Sequence, residues 1–159
     1  MGDDGPERGA VLSEEEIDFI HARNSFYLAS VSETGWPHVQ HRGGPVGFAR
    51  VLDARTIAWV DFIGNRQYVS LGNVTQNDRV ALILIDYPRR RRLKIFGHMA
   101  WFEADQQPDL IQSLSTPGYH ARAEHVAQVI VEAFDWNCSQ HITPRYSLDE
   151  IGAGFAVPI

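Results

Sequence analysis

The run from Arg79 to Asp86, whose six inner residues Val80 to Ile85 are all aliphatic or alanine, most limits what this chain can fold into. It is far too short to cross a bilayer. It reads instead as a buried strand that needs neighbours on both sides. Tyr87-Pro88 and the arginines Arg89 to Arg92 follow as an exposed hairpin turn. Leu93 to Glu103 then resumes as a long strand, with Gly97 placed to make a bulge or a bend. Upstream, Phe26 to Val31 and Trp36 to Arg42 flank the turn Ser32-Glu33-Thr34-Gly35, and Val46 to Leu52 and Thr56 to Phe62 flank Asp53-Ala54-Arg55. Six β runs with few helices predict a small antiparallel barrel, mainly β with flanking helices.

The helical signals are fewer. Ser13 and Glu16 have capping-box spacing ahead of Ile17, Phe19 and Ile20. Asn65 to Asn73 reads as a helix within the barrel's connectivity, and Asp109 to Leu114 as a short one. Arg122 to Phe134 reads as a stronger helix, on the spacing of Val126, Val129, Ile130 and Phe134. Ser147 to Glu150 opens a last turn. Residues 1–12 are expected to form a flexible tail and 13–159 a single domain.

Net charge is −6, which argues against general binding of nucleic acid or anionic membrane. Cys138 is the single cysteine, so neither a disulfide framework nor a cysteine-rich metal site is expected. Met1 to Gly9 lacks an apolar stretch, and a reducing cytoplasm is the expected setting. Lys94 is the only lysine, and it lies in a strand-like run.

The polar residues of Trp36 to Arg42 are unusual for a barrel strand. Alternation places His38, Gln40 and Arg42 on one face and Val39 and His41 on the other, so one face must meet water, a ligand or another subunit. Seven histidines show no metal-ligand spacing, and no metal site is expected. Cys138 lies near His141, but no serine elbow, P-loop or dinucleotide glycine pattern occurs. Asn65, Arg66 and Gln67 follow an apolar strand at the presumed start of a helix. Free N–H groups and a guanidinium there suit a phosphate, although capping and a surface ion pair explain the same residues. Trp136 fits core packing somewhat better than a binding surface.

Three segments together resemble the pyridoxamine 5'-phosphate oxidase-like flavoproteins. They are Gln40-His41-Arg42-Gly43-Gly44-Pro45, then Gly64-Asn65-Arg66-Gln67-Tyr68 with Gly72-Asn73, then Trp136-Asn137-Cys138 with Gln140 to Arg145. The resemblance covers residues 13–146 and implies the FMN-binding split β-barrel, a six-stranded antiparallel Greek-key-like barrel. It implies a homodimer with FMN at the subunit interface. Gln40, His41 and Arg42 would line the ring and ribityl chain, Val60 and Asp61 would approach the flavin, and Asn65, Arg66 and Gln67 would grip the phosphate. Trp136, Asn137, Gln140 and His141 would come from the partner subunit. The implied activity is FMN-dependent oxidoreduction of a small molecule, with oxygen or a nicotinamide (NADH or NADPH) as redox partner. His41 and His141 are the candidate acid or base groups. Two departures stand out: Arg66-Gln67 replaces the Arg-Lys pair usual in the oxidases proper, and their C-terminal substrate segment is not recognisable. A non-catalytic flavin or haem module and a deazaflavin (F420) reductase are the alternatives on the same fold.

Overall fold

The computed structural model describes residues 9–62, 77–115, 117–118, 123–136 and 140–154. The expected helix 65–73, the phosphate candidates Asn65, Arg66 and Gln67, and Asn137 and Cys138 lie outside them. In chain order the elements are α1 (Glu14–His21), β1 (Ser25–Val31), β2 (Pro37–Gly43), β3 (Arg50–Asp53), β4 (Thr56–Phe62), β5 (Arg79–Asp86) and β6 (Arg91–Glu103). A 3-10 turn (Ala104–Gln106), α2 (Pro108–Leu114), β7 (Ala123–Trp136) and α3 (Leu148–Gly152) follow.

The strands form one antiparallel sheet in the order β2-β1-β5-β6-β7-β4-β3, with β2 and β3 at its edges. Among the described residues this sheet curls around a core without closing, which is a split barrel. Its interior is filled by Phe26, Leu28, Phe48, Trp59, Leu84, Leu93, Ile95 and Val129, all nearly inaccessible to solvent. Phe26 anchors one end, stacking on Phe48 at 5.5 Å and meeting Trp59 edge-on at 5.0 Å.

The segment expected as a helix from Arg122 to Phe134 is strand β7, so the described sheet has seven strands rather than six. The reason is tertiary. β4 and β7 are covered on both faces: Ala127, Val129 and Val131 face the barrel core, while Val126, with Ala58 and Val60, faces Leu114 of α2. Two-sided burial removes the alternation that marks a half-buried strand. It leaves apolar residues at positions that imitate helical spacing, although the valines and Ile130 are β-branched and favour the pleated backbone. A bulge adds to this. Phe96 pairs with Ala133 but Gly97 with Val131, leaving Glu132 unpaired.

Gly97 was expected at a bend, and it sits at this bulge. A Cβ there would stand 2.4 Å from the Ile130 carbonyl oxygen and 2.7 Å from Val129 Cγ1. The Ser13–Glu16 capping box is formed. The expected tail is docked from Gly9 onward: the Phe134 N–H donates to the Gly9 carbonyl at 2.6 Å, and Ala10 and Leu12 are buried. The arginine turn is a hairpin, as expected, but tethered to the body of the protein. Buried Asp86 accepts from Arg23 at 3.4 Å and Arg89 at 3.1 Å, and Arg90 Nε donates to the Ile142 carbonyl at 3.1 Å.

Candidate functional site

Strand alternation carries the site. On β2 the inward residues are His38, Gln40 and Arg42, and the outward ones Val39 and His41. On β4 Asp61 shares the inward face with Ile57 and Trp59, while Val60 turns to the opposite face under α2. Trp101 on β6 and His125 on β7 complete the group at this end of the barrel.

Arg42 and Asp61 are at its centre, 0% and 2% exposed. Arg42 Nε is 3.6 Å from Asp61 Oδ1, the indole N–H of Trp59 donates to the same oxygen at 3.2 Å, and Arg42 Nη1 donates to Gln40 Oε1 at 3.2 Å. The Arg42 guanidinium faces the Trp101 ring at 5.8 Å. Burial pushes the Asp61 carboxyl up to about 6 even though Arg42 pulls the other way. Burial likewise brings Arg42 down to about 10, against the opposing pull of Asp61, which leaves it charged at neutral pH.

The group is incompletely satisfied. Arg42 Nε and Nη2, Asp61 Oδ2, Trp101 Nε1 and His38 Nε2 are buried and have no hydrogen-bond partner among the described residues. Buried polar atoms are nearly always paired, and leaving one unpaired costs about 1–3 kcal/mol, more if it is charged. Several such atoms in one place mark a position built for something besides packing.

The structure brings Gln40, Arg42 and Asp61 together and disperses the other expected residues that it describes. His41 lies on the outer face, edge-on to Tyr27 at 5.5 Å. Val60 lies under α2. Gln140 and His141 are exposed, with His141 at a φ of 67°. Trp136 is at the far end of β7, where its indole N–H donates to Glu16 at 2.7 Å and its ring meets Phe19 edge-on at 4.8 Å. Ten residues of β7 lie between it and His125, a separation of roughly 35 Å along the strand at the usual rise. Trp59, Trp101, His125 and Glu103 were not anticipated. Alternation from Gly97 points Trp101 inward, but reading β7 as a helix concealed the phase of His125.

The outer face across β2, β1, β5 and β6 carries an apolar patch at its centre, bordered by His41 and Lys94. Val39 pairs with Ala29, Ala29 with Ala81 and Ala81 with Phe96. Val39 is 63% and Phe96 46% exposed, and with Tyr27 and Ile83 they line a shallow groove of about 160 Å³. No helix among the described residues is long and apolar enough to cross a membrane.

Solved structures share this architecture. A Lactobacillus delbrueckii protein named for pyridoxamine 5'-phosphate oxidase superposes with a TM-score of 0.60 at 22% identity, over 81% of this chain and 97% of its own. An F420 reductase gives 0.54 at 19% identity, over 78% and 98%. An FMN-binding protein of Syntrophomonas wolfei gives 0.55 at 12% identity, over 78% and 87%. These likenesses speak to the fold. No curated protein sequence matches the chain. The sequence model for pyridoxamine 5'-phosphate oxidase matches residues 12–131, from the start of α1 through most of β7. By that match and the split barrel it describes, the chain belongs to the pyridoxamine 5'-phosphate oxidase family.

Proposed function

We propose that this protein is an FMN-dependent oxidoreductase that works as a homodimer. The observation that carries the reading is the set of orphaned donors at the barrel end. Arg42 Nε and Nη2 and Trp101 Nε1 are buried donors without partners, and Asp61 Oδ2 is a buried acceptor without one. A flavin ring edge offers carbonyl oxygens and an N–H, which unpartnered donors and an acceptor of these kinds can pair with. The residues present therefore fit the group. Arg42 would hold the carbonyl edge with Gln40 beside it, and Asp61 would keep Arg42 in place. Asn65, Arg66 and Gln67 would take the phosphate.

When bound, the flavin supplies the two-electron chemistry. The protein's share is orientation, exclusion of water and charge. Arg42 places a fixed positive charge in a site of low polarity, where it favours negative charge far more strongly than it would in water.

Two features support a second copy. The apolar stripe of Val39, Tyr27 and Phe96 is of the kind that marks an interface. Trp136 and Asp61 also sit at opposite ends of one barrel, so both can border one ligand only if the second comes from another chain.

The test is the visible spectrum of the purified protein together with its mass in solution. Flavin bands, tight binding of added FMN and a dimer support the reading; colourless protein that ignores FMN overturns it. A deazaflavin spectrum would assign the F420 chemistry of one structural neighbour, and a Soret band would assign haem. Stopped-flow reduction by NADH or NADPH separates a reductase from a passive carrier. Arg66→Ala should weaken FMN binding far more than riboflavin binding, and equal losses would remove Arg66 from the phosphate.

A further inference from the structure

Beside the Arg42–Asp61 pair, the neighbouring strand positions on β7 and β6 carry His125 and Glu103 toward solvent. Asp61 and His125 are direct partners across β4 and β7, and His125 Nε2 lies 3.4 Å from Glu103 Oε1. Side-chain exposure rises stepwise, from 3% at Asp61 through 14% at His125 to 60% at Glu103. Trp101 packs edge-on against His125 at 5.9 Å and covers the sequence from the barrel side. Asp61 Oδ1 is engaged by Trp59 and faces Arg42, so Oδ2 is the oxygen left to take a proton. The charged or titratable groups facing Asp61 are Arg42 from β2 and His125 and Glu124 from β7. Arg42 and His125 favour the carboxylate, and Glu124 and burial favour the acid.

Resting on the FMN reading above, we propose that Asp61 takes up a proton when the site is reduced, and that the proton comes from solvent by way of Glu103 and His125. The charge balance requires a partner of this kind. A nicotinamide, or dithionite in the test, delivers two electrons. The ring gains these and one proton, and so carries one negative charge beside Arg42. With Asp61 ionised, the buried site would then hold two negative charges against one positive. His125 is not hydrogen-bonded to Asp61 Oδ2 in the resting structure, so the second proton crosses when a His125 N–H closes on that oxygen, one N–H breaking as one O–H forms, and His125 is reprotonated at the Glu103 side. The site ends with one negative and one positive charge. Asp61 is thus a proton acceptor for the redox step, and His125 a conduit.

The experiment is a redox titration of the FMN-loaded protein with dithionite through neutral pH, reading the equilibrium potential and not turnover. The wild type should take up two protons per two electrons, and Asp61→Asn one. Infrared difference spectra should show a protonated carboxyl band appearing on reduction of the wild type and absent from Asp61→Asn. His125→Gln should keep the two-proton stoichiometry and, in a separate stopped-flow reduction with a pH indicator, slow proton uptake about 100-fold. Equal stoichiometry in wild type and Asp61→Asn, or no carboxyl band in the wild type, overturns the proposal and leaves FMN binding standing. An unchanged rate in His125→Gln overturns the route. If Asp61→Asn does not fold, the infrared band of the wild type decides. A protein that takes no FMN overturns both this proposal and the reading it rests on.

Discussion

Arg42 Nε and Asp61 Oδ1 lie 3.6 Å apart at the inner end of the barrel, joining the edge strand β2 to β4 through side chains with almost no solvent access. In the sheet order four strands separate β2 from β4, so this ion pair crosses the barrel interior. A buried pair need not favour folding over an apolar pair of similar volume, but breaking it leaves one charge stranded.

Replacing only the cation should therefore be severe. Arg42→Met is expected to destabilise the protein by about 3–5 kcal/mol at neutral pH, measured by urea denaturation. The loss should shrink in acid, where Asp61 is neutral. Arg42→Met combined with Asp61→Leu should recover most of the stability and none of the flavin binding. A single variant as stable as the wild type would mean that Asp61 is not ionised beside Arg42.

The pH dependence has a definite sign. The folded-state pKa of Asp61, about 6, lies above the unfolded carboxylate value of roughly 3.9. Between these values the folded state holds the proton that the unfolded state has released. The Asp61 contribution is thus complete below about pH 4 and is lost as pH rises through about 6, a fall of about 2–3 kcal/mol. Subtracting the stability curve of Asp61→Asn from that of the wild type should isolate this fall. A difference that rises with pH would show that Arg42 outweighs burial.

Gly97 tests the bulge. With Cβ space ending 2.4 Å from a backbone oxygen, Gly97→Ala must part β6 from β7 locally. A loss of about 3 kcal/mol, the upper end for overpacking, is expected in thermal or urea unfolding. Gly35→Ala is the control for backbone strain without crowding. It has a φ of 85° and nothing within 4 Å of its Cβ position.

Trp136 and Glu16 test the docking of α1. Burial raises the Glu16 carboxyl, but hydrogen bonds from Ser13 and Trp136 together bring it below its ordinary value. Trp136→Phe removes the indole donor while keeping most of the ring contact with Phe19, and should cost about 1–3 kcal/mol. Hydrogen exchange should show α1 opening more readily. Loss of FMN without loss of stability would instead give Trp136 a role at the ligand.

The extent to which all this was legible in the sequence differs from element to element. The capping box at Ser13 and Glu16, the hairpin at Arg89–Arg92, the bend at Gly97 and the inward set of β2 follow from rules that act within a few residues. Strands also announce themselves locally, β2 by alternation and β5 by an unbroken aliphatic run. β7 did not, because its second face is buried under α2, and burial on both faces erases the period.

The same division applies to the site. Alternation alone put Gln40 and Arg42 on one face of β2 with polar groups to satisfy, and the family resemblance added Asp61 at the end of β4. Only the tertiary structure decided which polar groups meet. It set Arg42 against Asp61 with Trp101 and His125 around them, and carried Trp136 to the far end of its strand. The physical reason is that a strand's alternation is local, whereas the phase in which bulged strands face one another is set by the closure of the whole sheet.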